Sequence, residues 1–351
     1  FAQMRARAEH ELGMPLERAF ASVDERPLAA ASLGQAHRAV LTDALADETG
    51  LRAVVLKIQR PDIDRIVDVD LRALRKVGVW LSKVALVRDR VDMPSLVEEF
   101  AVTSLEEIDY LHEAANSERF AADFGGEDGV AVPDVVWERT TRRVLTLEDV
   151  SAIKINDVDA LRAAGIDPSE VAARFAAVMF DQLFDDGFFH ADPHPGNVFV
   201  TPLSSSTDAG PPAWRFTFID FGMMGDVPPG LRRGLRRVLI AAASRDGKGL
   251  VDGIRDVGVL LPSADTIQLE RAMTQLFSRF GGMGFAELQE VDPREFRAFA
   301  IEFGDVVRAL PFQLPENFLL IVRAMSLTSG MCSSLDPAFN IWDAVEPYAQ
   351  R

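Results

Sequence analysis

The sequence predicts an α+β protein with two lobes, a small strand-rich lobe over residues 1–150 and a larger helical lobe over residues 151–351. Short apolar runs rich in β-branched residues, separated by turn residues, dominate the first part of the chain. From residue 151 onward apolar residues recur at helical spacing, and a small strand region with a Ser/Pro/Gly-rich loop at 201–213 interrupts the helices. The length of 351 residues agrees with two domains or with one two-lobed domain.

The first lobe is predicted to hold several short strands and one long helix. Residues 27–41 predict a strand, a small-residue turn and a second strand, and the β-branched run 51–58 predicts a buried strand that ends before Arg60-Pro61. Residues 94–120 predict a helix, because acidic residues stand early in it and an arginine late, as the helix dipole favours. The other predicted elements are two strands, at 132–136 and 143–147, and two loops, at 43–50 and 123–130.

The second lobe begins with a strong helix signal. Asp167-Pro168-Ser169-Glu170 combines a capping residue, a proline at the first helical position and an acid three residues after the cap. The apolar helix that follows is predicted to end at Gly187. Residues 214–219 alternate aromatic and polar side chains and predict a strand with one buried face. Beyond Pro228 the pattern is helical to the end.

Composition limits the classes of partner and site. A formal net charge of −17 makes nucleic acid an unsuitable partner, because phosphate backbones are bound by basic surfaces. A single cysteine, Cys332, allows neither an internal disulfide nor a cysteine-based zinc site. No run approaches the ~20 apolar residues of a membrane helix, because the best segments, 77–87 and 318–322, are short or interrupted by Lys83 and Arg323. We therefore expect a cytoplasmic protein.

Three elements suited to phosphoryl transfer follow one another along the chain. Lys57 lies in the predicted strand 54–58, Asp192 and Asn197 lie in the octapeptide His-Ala-Asp-Pro-His-Pro-Gly-Asn (190–197), and Asp220-Phe221-Gly222 ends a strand. This chemistry requires phosphates to be positioned, metal ions to be held and a nucleophile to be oriented. A strand lysine, an Asp with an Asn five residues later, and a second Asp after a short hairpin supply these functions in kinases.

The octapeptide also allows a different interpretation. His190 and His194 flank Asp192, and an H-x-D-x-H sequence occurs in metal hydrolases. Such a site needs further histidine or carboxylate ligands, and only three other histidines are present. We therefore favour a structural role, in which His190 braces the loop and His194 shapes its turn.

Four segments resemble the UbiB/ADCK family of atypical kinases. Residues 27–39 (PLAAASLGQAHRA) resemble the alanine-rich loop that replaces the kinase glycine-rich loop in that family, and residues 57–61 (KIQRP) resemble its lysine strand. Residues 107–120 are similar to its acidic helix, and the octapeptide matches its catalytic loop at every position. The resemblance extends from about Glu11 to Tyr348, nearly the whole chain.

The resemblance implies a protein-kinase-like fold and a role for each matching residue. It implies binding of ATP or ADP with Mg²⁺, with Mn²⁺ as an alternative, at a site formed by both lobes. Lys57 would pair with Glu113 and contact the α- and β-phosphates, and Asp192 would be the catalytic Asp. Asn197 and Asp220 would hold the metal. The residues expected to contact the nucleotide are Ala29, Ala30, Ala31, Ser32, Lys57, Glu148 and Val150.

The family comparison also predicts a departure and a biological setting. In the family, an acidic pair corresponding to Glu107 and Asp109 faces a K-x-G-Q motif, and no such motif stands upstream of Pro27. The implied function is slow ATP hydrolysis or phosphoryl transfer that supports isoprenoid quinone or lipid metabolism, with quinone-pathway proteins as partners. Two alternatives stay open: a small-molecule phosphotransferase of the aminoglycoside or macrolide type, and a nucleotide-gated binding module without catalysis.

A basic cluster stands out in this acidic chain. Arg232, Arg233, Arg236 and Arg237 recur at helical spacing. They indicate either a solvated helix end or a surface that contacts anionic lipid headgroups. The second interpretation would place the protein peripherally at the inner face of a membrane.

Overall fold

The computed structural model describes residues 1–30, 33–84, 93–124, 129–150, 152–203, 213–280 and 315–350. The chain forms two compact units. The first contains Phe1–Pro168 and Asp192–Met224, and the second contains Ser169–Ala191 and Gly225–Arg351. These units do not follow the lobe boundary predicted at residue 150, because strands after residue 150 pair with each other and with a strand before it in the first unit.

The first unit opens with a sheet flanked by helices. Its strands β1, β3, β4 and β6 are neighbours in that order and antiparallel, and β2 pairs with β3. The elements up to this sheet's last strand are α1 (Ala2–Leu12), α2 (Leu16–Ala19), β1 (Phe20–Val23), β2 (Ala29–Ala30), β3 (Gly34–Leu41), α3 (Asp43–Thr49), β4 (Ala53–Gln59), α4 (Ile63–Leu81), α5 (Met93–Glu107), α6 (Tyr110–Phe124), β5 (Val130–Ala131), a 3₁₀ turn (Trp137–Arg139) and β6 (Val144–Glu148).

Alternation along β4 decides which of its side chains enter the core. Val54, Leu56 and Ile58 are fully buried among Phe20, Leu41 and neighbouring apolar residues. Lys57 lies between two of these positions and therefore points to the opposite face of the sheet. The predicted strands 27–41 and 51–58 are thus confirmed, and the pattern that buries the core also presents the lysine.

A smaller sheet completes the first unit. Its strand order is β5, β10, β9 and β7, in which β7 is Ile153–Lys154, β9 is Val198–Pro202 and β10 is Trp214–Phe218. The alternation predicted for the last of these is confirmed, because Trp214, Phe216 and Phe218 are all buried. Helix α7 (Val158–Ala163) follows β7.

In the residues that the structure describes, the second unit is helical apart from one strand pair. Helix α8 (Pro168–Asp181) begins where the capping signal predicts, continues as a π-helical turn (Gln182–Asp186) and stops at Gly187, whose φ of 77° is left-handed. The other elements are β8 (Phe188–His190), β11 (Met224–Asp226), α9 (Pro229–Ala243), α10 (Gly247–Asp256), α11 (Thr266–Phe280), α12 (Glu316–Leu335) and α13 (Ile341–Gln350).

Three predicted elements in the first unit were wrong. Residues 43–50 form helix α3 rather than a loop, and Gly50, with a φ of 76°, ends it as a helix-terminating glycine does. The segment 94–120 is two helices, because Asp109 interrupts it and caps α6 by accepting a hydrogen bond from the Leu111 N–H at 3.0 Å. Residues 132–136 contain Pro133 and form no strand beyond a bridge between Val135 and Leu147.

One helix differs from the expectation that no segment is long and apolar enough to cross a membrane. Asn317–Leu335 of α12 is 19 residues long with a mean hydropathy of 1.4, so by length and composition it is the one helix in the described ranges that could cross a membrane. About 33% of this stretch is buried within the protein, and the Cys332 thiol donates to the Ala172 carbonyl in α8 at 3.3 Å. The core helix of a water-soluble protein passes the same test of length and hydropathy.

Candidate active site

The Lys57 ammonium on β4 lies between two carboxylates. Its Nζ is 2.6 Å from Oε1 of Glu113 on α6 and 3.5 Å from Oδ2 of Asp220, which follows β10. Glu113 is almost fully buried, whereas about half of the Asp220 side chain is exposed. The structure therefore brings together three of the residues singled out in the sequence.

Electrostatics keep this ion pair charged. Burial disfavours the Lys57 ammonium, but the carboxylates of Glu113 and Asp220 outweigh burial and raise the pKa of Lys57 above its ordinary value. Burial pushes the pKa of Glu113 upward, and the Lys57 ammonium at 2.6 Å opposes that shift. A charged pair fits this 2.6 Å contact, since a neutral Glu113 would leave the buried ammonium with a weaker partner.

The loop formed by residues 190–197 is held by its own backbone and by His194. The Asp192 carbonyl accepts hydrogen bonds from the His194 N–H at 2.8 Å and from Nδ2 of Asn197 at 3.1 Å. The Gly196 N–H donates to Nδ1 of His194 at 2.9 Å, so this histidine shapes the turn, as expected. Because Asn197 donates through its amide nitrogen, its amide oxygen is left for another partner.

The Asp220 backbone is in an unusual conformation. Its φ of 62° lies in the left-handed region, which Asp adopts more readily than most residues. The next residue is anchored to α6, because Nδ2 of the buried Asn116 donates to the Phe221 carbonyl at 3.0 Å. Helix α6 therefore contributes Glu113 to the site and also holds the segment after Asp220 through Asn116.

These groups border one cleft of about 290 Å³. Its charged lining consists of three carboxylates and one ammonium, from Glu113, Asp192, Asp220 and Lys57. The other lining residues are Ala29, Leu33, Gly34, Gln35, Ala36, Tyr110, Gly222 and Met223. The cleft is thus more negative than positive and presents oxygen donors beside a single cation.

The predicted nucleotide contacts divide into three groups. Ala29 lines the cleft, and Ala30 lies beside it on β2, paired with Gln35. Ala31 and Ser32 lie outside the described residues. Glu148 and Val150 are not among the lining residues of the cleft, and the Glu148 carboxylate accepts a hydrogen bond from the Asp134 N–H at 3.3 Å.

The predicted acidic pair is only partly described. Asp109 forms an ion pair with Arg142 at 3.1 Å and caps α6, so its role in this structure is to fix the start of that helix. The Glu107 side chain lies outside the described residues. Asp109 and Glu113 each have their own cation, Arg142 and Lys57, and the second of these pairs is the one expected from the family resemblance.

A buried polar junction links α4, α6 and the end of β4. The Arg143 guanidinium donates to Oε1 of Gln59 at 2.9 Å and to the Ile108 carbonyl at 3.2 Å, and it pairs with Asp64. Gln59 donates to the same Ile108 carbonyl. Neither residue was singled out in the sequence, because nothing local indicates that residues 59, 64, 108 and 143 meet.

Two interpretations from the sequence, the metal-hydrolase site and the lipid-binding cluster, can be compared with the contacts of their residues. No cluster of three or more His, Cys, Asp or Glu side chains suited to a metal ion occurs in the ranges that the structure describes, which disfavours the H-x-D-x-H hydrolase interpretation. In the basic cluster, Arg232 and Arg236 donate to the carbonyls of Asp185 and Phe184 at 2.6 and 2.7 Å, and Arg237 pairs with Asp256. These three arginines therefore bind protein groups within the second unit.

The donor set of the cleft fits a magnesium-bound nucleotide. Mg²⁺ in nucleotide sites takes one or two carboxylates and completes its coordination with phosphate oxygens and water. Asp220 offers a carboxylate and Lys57 a positive charge for phosphates, whereas Asn197, the second predicted metal ligand, is buried and is not among the lining residues of the cleft. A divalent cation would also offset the excess of carboxylates around Lys57.

The comparisons with known proteins agree on one group. A family model described as ABC1 atypical kinase-like domain matches residues 1–253. ACTIVITY OF BC1 COMPLEX KINASE 8, a chloroplastic protein of Arabidopsis thaliana, is 35% identical over 97% of this chain and 46% of its own length. The uncharacterized protein slr1919 of Synechocystis is 34% identical over 98% of this chain and 56% of its own length. The chain thus spans about half the length of these relatives.

A solved structure shares the fold. Rv3197 from Mycobacterium tuberculosis, determined as a complex with erythromycin, superposes with a TM-score of 0.65 over 98% of this chain and 82% of its own. The sequence identity is 20%, so this likeness concerns the fold alone.

Proposed function

Because the chain belongs to the ABC1 atypical kinase-like family, we propose that it binds ATP or ADP with Mg²⁺ and hydrolyses ATP or transfers its terminal phosphate. The resemblance to UbiB/ADCK kinases and the kinase-like α+β fold, both predicted from the motifs, are confirmed by these comparisons. The observation that carries the proposal is the position of Lys57, held between Glu113 and Asp220 in a cleft that Asp192 also lines.

Each residue has a role that follows from its contacts. Lys57 would neutralise phosphate charge, and Glu113 keeps its ammonium pointed into the cleft. Asp220 and Asn197 would hold Mg²⁺, which when bound neutralises charge on the phosphates. Asp192 would orient the attacking hydroxyl or water and accept its proton. Glycine-free residues 29–32 would cover the nucleotide with a stiffer loop than a glycine-rich one.

The biological setting stays part of the proposal. We propose a supporting role in isoprenoid quinone or lipid metabolism, from a cytoplasmic position with peripheral membrane contact. Relatives of about twice this length carry the family name, so substrates and partners of the whole protein need their own tests. Phosphate appearing on an added alcohol, at a rate far above hydrolysis, would instead favour the small-molecule phosphotransferase.

The test is metal-dependent nucleotide binding and ADP release by the purified chain. Lys57→Ala, Asp192→Asn and Asp220→Asn are compared with wild type, and Asp134→Asn serves as a control because Asp134 is exposed and does not line this cleft. We expect Asp192→Asn to bind nucleotide without turnover and Asp220→Asn to lose the Mg²⁺ dependence. Binding without turnover by wild type would favour the nucleotide-gated module. Absence of binding with any divalent metal would refute the proposal.

A further inference from the structure

Tyr110 lies at the cleft without a role in the mechanism above. It is the first residue of α6, three positions before Glu113, so the two side chains share one face of the helix. Its ring is 7% exposed and packs against Ala114, Leu145 and Leu147, and the residue lines the same cleft as Lys57. The ring is therefore held rigidly at the border of the site.

The Tyr110 hydroxyl is an unused hydrogen-bonding group. Among the residues that the structure describes, it has no hydrogen-bond partner, although buried tyrosine hydroxyls usually find one. Its oxygen is also absent from the buried polar atoms that lack a partner, so it keeps contact with solvent, and the cleft is the space it borders. Tyr348, the second of two tyrosines in the chain, instead bonds the Ala177 carbonyl and Asp181 at 3.0 and 2.7 Å.

The chemistry of the cleft decides what this hydroxyl can bind. A polyphosphate offers only acceptors, and the side chains of the lining that can donate to it are those of Lys57, Gln35 and Tyr110. Burial raises the pKa of the Tyr110 phenol well above its ordinary value, although Lys57 opposes the shift, so the group stays a donor at every physiological pH. The Tyr110 hydroxyl would therefore add an uncharged donor to the same cleft as the ammonium.

We propose that the Tyr110 hydroxyl donates a hydrogen bond to a phosphate oxygen of the nucleotide held at Lys57, and so favours ligands that carry phosphate at this point. The inference rests on the proposed function and adds to it a ligand-contact residue outside the lysine strand, the catalytic loop and the Asp-Phe-Gly segment. It also assigns a function to the first turn of α6, next to the ion pair.

Tyr110→Phe tests the contact with minimal disturbance, because the ring and its packing are retained. We expect the Kd for Mg-ATP and for Mg-tripolyphosphate to rise about tenfold, the usual value of a hydrogen bond to a charged group. Tyr348→Phe is the matched control, since its hydroxyl bonds the Ala177 carbonyl and Asp181 in the second unit, and it should leave both affinities unchanged. Thermal unfolding of both variants checks that they fold.

A spectroscopic measurement detects the contact in the protein with both tyrosine hydroxyls in place. Incorporation of 3-fluorotyrosine gives two ¹⁹F resonances, one for each tyrosine, and each is assigned by loss in one Phe variant. Mg-ATP and Mg-tripolyphosphate should both shift the Tyr110 resonance and leave that of Tyr348 in place. A shift with Mg-ATP alone would mean contact with the nucleoside and would overturn the inference.

The proposed nucleotide site and the proposed tyrosine contact can be refuted separately. If wild type binds no nucleotide, the proposed function is lost and this inference with it. If wild type binds Mg-ATP but Tyr110→Phe binds it equally well and the Tyr110 resonance does not move, the nucleotide site stands and only the tyrosine contact is wrong.

Discussion

The Lys57 ammonium and the Glu113 carboxylate lie 2.6 Å apart, although 56 residues separate them in the chain. The contact joins strand β4 to helix α6 across the cleft and is almost completely buried at Glu113. Fixing two distant elements at one charged point positions the ammonium for a phosphate and makes the site sensitive to the loss of either partner.

Glu113→Gln should weaken both stability and ligand binding. Lys57 then keeps only the longer contact to Asp220, and removal of one partner of a buried pair costs about 3 kcal/mol in the free energy of unfolding. Nucleotide affinity should fall about tenfold as the ammonium loses its position. Urea denaturation and calorimetric titration measure both effects. Glu118→Gln, an exposed position on the same helix, should change unfolding by less than about 0.5 kcal/mol.

Asp220→Gly should remove the metal dependence without a net loss of stability. Glycine recovers the cost of about 1 kcal/mol that the left-handed φ of 62° imposes on a non-glycine residue, and this gain offsets the lost 3.5 Å contact with Lys57. Arg245 has a φ of 54° after helix α9, so Arg245→Gly should give a similar gain without affecting the cleft. Thermal unfolding measures the stability of both variants, and Mg²⁺ titrations measure the metal dependence of Asp220→Gly. A loss of stability in both variants would contradict the strain argument.

Gly34→Ala should destabilise the sheet beneath the site. A Cβ at this position would overlap the Ile58 carbonyl on the neighbouring strand β4, and backbone cannot move aside as a side chain can. The expected loss is about 1–3 kcal/mol by chemical denaturation. Gly230→Ala is the control: its Cβ would meet nothing within 4 Å on helix α9, so stability should be unchanged or rise by up to about 1 kcal/mol.

Alkaline pH should destabilise the second unit through Cys332. Burial raises the pKa of this thiol from 9.0 to about 12, so the folded state keeps the proton while the unfolded state loses it. The stabilisation is fully present below pH 9 and is lost as the pH rises from 9 towards 12, at up to about 1.4 kcal/mol per pH unit. Denaturation at pH 8, 9 and 10 measures the slope. Cys332→Ala should lack this component, and an unchanged slope would contradict the assignment.

The basic cluster gives a further prediction about lipids. Arg236→Ala should lower stability by about 1–2 kcal/mol, because it removes hydrogen bonds to the Phe184 carbonyl and Asp185. Arg233 is exposed, and Arg233→Ala should leave stability within about 0.5 kcal/mol of wild type. Flotation with anionic vesicles at low salt tests the membrane proposal separately. Weaker vesicle binding by Arg233→Ala than by wild type would support the membrane proposal, and no binding by wild type would refute it.

The candidate catalytic and metal-binding residues could be proposed from the sequence because each motif is local. Lys57, Asp192, Asn197 and Asp220 stand at fixed places in short segments whose order along the chain is itself informative. The contact of Lys57 with Glu113 came from a family resemblance, because spacing along the chain carries no information about which helix faces a strand.

Features that depend on packing were not predictable in the same way. That the Tyr110 hydroxyl has no partner among the described residues can be recognised only from the structure, which gives the partners of the nearby donors. The division of residues 94–120 into two helices depends on Asp109 turning its carboxylate back to the Leu111 N–H, a local hydrogen bond that competes with helix continuation. Helix α3 was predicted as a loop although its terminal signal, Gly50, was present in the sequence.

The guanidinium of Arg143 connects three segments of the first unit through hydrogen bonds. It holds Gln59, two residues beyond Lys57, together with the junction of α5 and α6 and with Asp64 at the beginning of α4. The segment between β4 and α6 begins after Lys57 and ends before Glu113. A displacement of this segment would therefore act on both partners of the ion pair. The Arg143 side chain restrains this segment, and the rigidity of the segment would influence how tightly the cleft binds its ligand.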